Sequence, residues 1–116
     1  MFLQPIGEKM RIAFASRDNG LVDQHFGNAR YWQVYDINGG TAFVGTRKLQ
    51  ILYEGHHAGK FEQLLTVLED CDAMFVRQIG ESAAEYLIRH NKRVFEAEGE
   101  VSAIIAELMR GDLLKE

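Results

Sequence analysis

Tyr31-Trp32-Gln33-Val34-Tyr35-Asp36-Ile37, followed at once by Asn38-Gly39-Gly40, is the stretch that decides the fold. Aromatic and β-branched residues suit a pleated, half-buried surface, and Asn-Gly beside such a run signals a tight hairpin. Thr41 to Leu52 is then expected to return as the antiparallel partner strand. A shorter apolar run, Arg11 to Ser16, precedes the pair. It is closed by the turn residues Asp18-Asn19-Gly20 and reads as a buried strand.

Downstream the period changes. Phe61, Leu64, Leu65 and Leu68 fall at i, i+3, i+4 and i+7, the apolar stripe of a helix. Ala73 to Val76 reads as a compact buried strand, and Gly80 breaks it before a second helix spanning about Glu81 to His90. Arg93 to Phe95 is a short strand, and Val101, Ile104, Ile105, Leu108 and Met109 repeat the helical stripe. Glu98 and Glu100 suit the positive N-terminal end of that last helix, and Arg110 with Gly111 suits its close. The order β-β-β-α-β-α-β-α predicts an α/β fold, a mixed sheet covered by helices. Ligands on such sheets sit outside the carboxyl ends of the parallel strands. Here those ends are Ser16 to Asp18, Arg77 to Gly80 and Glu96 to Gly99.

Composition narrows the function. The chain has 116 residues, 47% of them apolar, enough for one domain with its own core. Met1 to Lys9, with Pro5 and Gly7, reads as a flexible leader before a single domain from Met10 to Glu116. Thirteen basic residues against seventeen acidic ones give a net charge of −4, which argues against nucleic acid as a partner but leaves room for a local arginine cluster. The single cysteine, Cys71, excludes an internal disulfide framework and a multi-cysteine metal cage, and suits a reducing cytoplasm. No apolar run has membrane-spanning length and no secretory signal pattern opens the chain, so no membrane partner is expected.

No GxGxxG, phosphate-binding loop or GxSxG elbow occurs. A two-metal nuclease would need carboxylates on neighbouring strands, and Ile12 to Ser16 carries none. Asp18 stands alone where a phosphoacceptor site would need an acidic cluster. With no catalytic set, a protein that is not an enzyme is expected.

The chemistry-bearing residues gather in the polar loop Arg17 to Arg30, which contains Asp23-Gln24-His25-Phe26-Gly27. Neutral imidazole offers one lone pair to a transition metal, and Asp23 or Gln24 is a candidate to fix the tautomer of His25. Phe26 would shield one side and Gly27 would let backbone approach closely. On spacing alone one histidine is a weak metal signal, and a loop histidine satisfying backbone groups is the commoner outcome. His56 and His57 precede the first helix as a second ligand source or a solvated loop pair. His90, near a helix end, suits a structural role. Cys71, between Asp70 and Asp72, reads as a partly buried structural thiol whose pKa its neighbours raise. Arg17, Arg30 and Arg77 either converge on the His25 loop to neutralise an anion or are ordinary surface charges.

Three blocks carry a resemblance: Ile12-Ala13-Phe14-Ala15-Ser16, Leu21-Val22-Asp23-Gln24-His25-Phe26-Gly27, and the aromatic strand Tyr31 to Tyr35. Together with Asp70-Cys71-Asp72-Ala73, Ile79-Gly80 and the final helix, they resemble the dinitrogenase iron–molybdenum cofactor biosynthesis family, which includes NifX, NafY and the C-terminal domain of NifB. The likeness runs from Met10 to about Met109, and its first blocks are the specific ones. It implies a three-layer α/β/α, ribonuclease H-like architecture with a five-stranded mixed sheet. It also implies binding, storage and transfer of the iron–molybdenum cofactor or its iron–sulfur precursor, a cargo expected to be absent from protein purified in air. Other nitrogenase-assembly proteins or apo-dinitrogenase would be the partners. The family's suspected cluster contact carries over to His25, with Ser16, Arg17, Asp23, Gln24, Phe26, Gly27, Arg30 and Arg77 around the cluster. The chain departs from relatives that place a cysteine and glycines before the first helix. It has Tyr53-Glu54-Gly55-His56-His57 there, and His56 or His57 would replace the sulfur ligand. The alternative is a regulatory or protein-interaction module of the same fold that no longer carries a cluster.

Overall fold

Alternation within the first strand sets up two cores. In β1 (Met10–Ala15), Ile12 and Phe14 point to one side and Ala13 and Ala15 to the other, and all four are buried. The computed structural model describes residues 10–49 and 58–110. After β1 come β2 (Leu21–Val22), a single 3-10 turn at Phe26–Asn28, β3 (Tyr31–Ile37), β4 (Thr41–Lys48) and α1 (Ala58–Val67). Then follow β5 (Ala73–Val76), α2 (Glu81–Arg89), β6 (Arg93–Glu96), β7 (Gly99–Glu100) and α3 (Val101–Met109).

The main sheet has the order β4-β3-β1-β5-β6. β3 runs antiparallel to both β1 and β4, whereas the β1–β5 and β5–β6 pairs are parallel. This is the five-stranded mixed sheet that the resemblance implies. On one face Ala13, Ala15, Trp32, Val34, Met74 and Val76 pack with Leu64 of α1, Leu68 just past its end and Leu87 of α2. On the other, Ile12, Phe14, Ala73 and Phe75 pack under Val101, Ile104, Ile105 and Leu108 of α3. The result is three layers. The second face is bound by rings, with Phe75 stacked between Phe14 (5.3 Å) and Phe95 (5.1 Å) and Tyr35 set edge-on to Phe14 (5.7 Å).

The expected hairpin forms as a three-residue loop, with Ile37 opposite Thr41 and Gly39 alone at positive φ (74°). Its return strand is shorter than the sequence pattern implied. β4 ends at Lys48, and the amide of Leu49 then donates to the carbonyl of Arg30 (2.8 Å), turning a buried side chain into the core. The rest of the expected strand, 50–52, lies outside the described residues, as does the leader 1–9. A bulge interrupts the β3–β4 ladder, where Gly45 faces Val34 and Phe43 faces Tyr35, leaving Val44 without an opposite residue.

The end of the sheet where β1 and β5 begin is closed by charge. Both Arg11 and Arg47 bond to Asp70, and Arg11 forks onto Asp36 at 2.7 and 2.8 Å. The two guanidinium groups hold the Asp70 carboxyl well below the usual carboxylate range. Cys71 is buried beside them, and burial together with the Asp70 charge pushes its thiol up to about 12. It is the structural thiol expected from its setting. Among the described residues no helix is long and apolar enough to cross a membrane.

Candidate functional site

The opposite end of the sheet collects the loops. β2 pairs with β7 (Leu21 with Glu100, Val22 with Gly99), which draws the turn after β1 toward the start of α3. The amide of Val101 seals this contact by donating to the Gly20 carbonyl at 2.8 Å. Two-residue strands are too short to show a period, so nothing in the side-chain pattern signals them. Their pairing also changes the role of Glu98. Instead of serving the N-terminus of α3, its carboxylate meets the Arg77 guanidinium at 2.8 Å.

From β2 the chain runs alongside the end of β5. The Arg77 amide donates to the Gln24 carbonyl (2.9 Å), the Phe26 amide donates to the Gln78 carbonyl (2.7 Å), and His25 faces Gln78 in a parallel bridge. The loop is anchored on both sides of His25. Val22 is buried in the α3 core, while Phe26 and Ala29 are buried in the core under α1 and α2. Phe26 packs against Trp32 (6.4 Å) and Phe61 (5.8 Å), so it anchors the loop rather than forming a wall of the site. His25 itself is extended (φ −72°, ψ 146°) and exposed.

Arg17, Asp23, Gln24, His25, Arg30 and Tyr31 line one open cavity of about 520 Å³. Five of these six were expected at the site. Tyr31 was not, and its ring carries Lys48 above it at 5.5 Å. Its position directly after Arg30 was the available signal. Among the described residues neither Arg17 nor Arg30 forms a salt bridge. The Gln24 amide donates to Asp23 (3.2 Å), and among the described residues neither bonds to the His25 ring.

The other expected site residues are placed differently. Ser16 is fully buried, and its hydroxyl accepts from the Asn19 amide at 3.0 Å, so it shapes the turn below the cavity. Arg77 joins the loop through its backbone while its side chain turns to Glu98. Gly27 is exposed, and a side chain there would meet nothing within 4 Å. His56 and His57 lie outside the described residues. His90 has the structural role expected of it, with Nδ1 2.8 Å from the Tyr86 carbonyl and its ring 4.4 Å from that of Tyr86.

The family model described as dinitrogenase iron–molybdenum cofactor matches residues 8–111. The chain belongs to that family. It is 30% identical over 83 residues to the NifX protein of Azotobacter vinelandii, covering 71% of this chain and 52% of NifX. It is 32% identical over 82 residues to the FeMo cofactor biosynthesis protein NifB of Bradyrhizobium diazoefficiens, covering 67% of this chain and 16% of NifB. The chain thus spans about half the length of the NifX relative and about one sixth of NifB. The crystal structure of the protein called PH0822 superposes with a TM-score of 0.70 at 24% identity, covering 88% of this chain and 92% of that one. A solved Methanocaldococcus jannaschii protein gives 0.64 at 17% identity, covering 90% and 92%. These likenesses establish the fold read from the sequence.

Proposed function

We infer that this chain takes part in nitrogenase cofactor assembly by binding and handing on an anionic metal cluster, the iron–molybdenum cofactor or its iron–sulfur precursor. The observation that carries the reading is the shared cavity, in which a solvent-facing imidazole stands with two arginines that lack salt-bridge partners among the described residues. Imidazole supplies one lone pair to a cluster metal, and guanidinium forks offset the charge of sulfides and of an organic acid on the cluster. A carrier benefits from few ligands, since a cargo held by many bonds leaves slowly. The role needs no turnover.

Residues 10–116 act here as one carrier domain in the cytoplasm, with other assembly proteins or apo-dinitrogenase giving and receiving the cargo. His25 is the metal ligand, and His56 or His57 replaces the family's sulfur ligand. Arg17 and Arg30 face the charge, with Asp23, Gln24 and Gly27 beside them, while Ser16 and Phe26 support the loop. Arg77 joins them when the cargo outcompetes Glu98. The relatives' names, NifX and the FeMo cofactor biosynthesis protein NifB, support this reading.

The test is anaerobic incubation of the apoprotein with the isolated cofactor or precursor, followed by gel filtration and metal analysis. Iron, with molybdenum for the cofactor, is expected to co-migrate with the wild type and to drop sharply in His25→Ala. Equal loading of both proteins removes His25 from the site, and no loading of either removes the carrier reading.

A further inference from the structure

Gln33 is a polar side chain buried in the middle of a strand, only 2% exposed. An amide in that setting costs free energy unless its groups are bonded. Its Nε2 donates to the Ser16 carbonyl at 2.9 Å and reaches the Arg17 carbonyl at 3.4 Å, and its Oε1 accepts from the Thr46 hydroxyl at 2.6 Å. Two carbonyl acceptors on one side fix which end of the amide carries the hydrogens.

The position of those carbonyls gives the arrangement its meaning. The β1–β3 ladder ends at Ala15 and Trp32, so Ser16 and Arg17 lie past its last pair. Gln33 supplies a hydrogen bond where the ladder stops and the chain turns out of the sheet. Two residues along the same face of β3, the Tyr35 hydroxyl donates to Asn19 Oδ1 at 2.6 Å. Asn19 is in the left-handed region (φ 73°), and its amide is bonded to the Ser16 hydroxyl. Gln33 and Tyr35 therefore grip the two ends of one turn, and Arg17 is the residue this turn delivers to the cavity.

We propose that Gln33, oriented by Thr46, is a positioning residue for the cavity: it holds the Ser16–Arg17 backbone so that the Arg17 guanidinium faces an anionic ligand. The ligand half of this inference rests on the anion-binding reading above. The backbone half is testable without any ligand.

Citrate, a tricarboxylate, is the probe, and the full chain is used throughout. Amide hydrogen exchange is measured at residues 17–20 and in β5 for wild type, Gln33→Met, Gln33→Glu and Thr46→Val. Citrate affinity is measured for the same set, for Arg17→Ala and for the Gln33→Met/Arg17→Ala double variant. Exchange at 17–20 should rise in Gln33→Met and Gln33→Glu while β5 stays protected, with a smaller rise in Thr46→Val, which removes the partner of Oε1 but leaves the Nε2 bond to Ser16. Citrate binding should weaken by up to about tenfold in Gln33→Met, the scale of one hydrogen bond. The double variant should bind no more weakly than Arg17→Ala alone. Unchanged exchange at 17–20 in both Gln33 variants overturns the proposal, as do additive losses in the double variant. A wild type that ignores citrate, with exchange raised in the variants, overturns the anion half and upholds the backbone half.

Discussion

His25 lies beside Gln78 in a parallel bridge, and the hydrogen bonds on either side of it fix the histidine backbone while its ring stays in solvent. The next residue, Phe26, points the other way into the core. Neighbouring positions thus divide, one exposing an imidazole to solvent and the other holding the loop. His25→Ala should change unfolding stability by no more than about 0.5 kcal/mol, as for most exposed sites. Phe26→Ala should cost about 3 kcal/mol, as for a buried ring. Urea unfolding of the two variants separates these roles.

Asp70 predicts how the protein responds to acid. Arg47 and Arg11 lower its folded pKa below the roughly 3.9 of an unfolded aspartate. A depressed carboxylate stabilises the fold fully above its unfolded pKa, and that contribution is lost as pH falls through it toward the folded value. Stability should therefore decline below about pH 4, and Asp70→Asn should be less stable at neutral pH with a shallower acid limb. Urea midpoints at pH 7 and pH 3 for both proteins check this.

Cys71 predicts the alkaline limb. Burial and Asp70 push its thiol up to about 12, above the roughly 8.5 of a free cysteine. The unfolded chain loses this proton first, so stability falls as pH rises from about 8.5. Cys71→Ala should remove that slope, although it costs stability at pH 7 through lost packing. The native thiol should also react slowly with a disulfide reagent at pH 8 and quickly in denaturant.

The Arg77–Glu98 pair is exposed on both sides and easily broken. Glu98→Gln should alter stability by less than about 0.5 kcal/mol and release Arg77 toward the loop it already touches through its backbone. Binding of an anionic probe such as citrate should then tighten, and the gain should vanish in Glu98→Gln/Arg77→Ala. An isothermal titration series reads this directly.

The sequence was most legible where side-chain period alone decides structure. Ile12 and Phe14 against Ala13 and Ala15, the run before Asn38-Gly39, and the stripe Phe61, Leu64, Leu65, Leu68 placed strands and helices nearly as observed. The return strand was expected to continue past Lys48 because Leu49 extends its apolar pattern, whereas Leu49 leaves the ladder. The cavity was legible as a loop and a strand end, and Arg17, His25 and Arg30 meet there. Gln33 was not legible, since a glutamine in a strand normally faces water and only the end of the β1–β3 ladder gives it a buried task. The Arg77–Glu98 pair was hidden for a related reason: their 21-residue separation closes only through the β5–β6 crossover.

The double anchoring of the His25 loop bears on what arrival of a ligand demands. Val22 is held in one core and Phe26 in the other, so Asp23, Gln24 and His25 span a short bracket between two fixed points. Ordering a slack loop would consume roughly 0.5–1.5 kcal/mol for each immobilised side chain. Here the backbone is ordered before anything binds, and only side chains need to settle. A ligand meeting this loop would then face nearly symmetric conformational demands on arrival and departure, as the proposed carrier role requires.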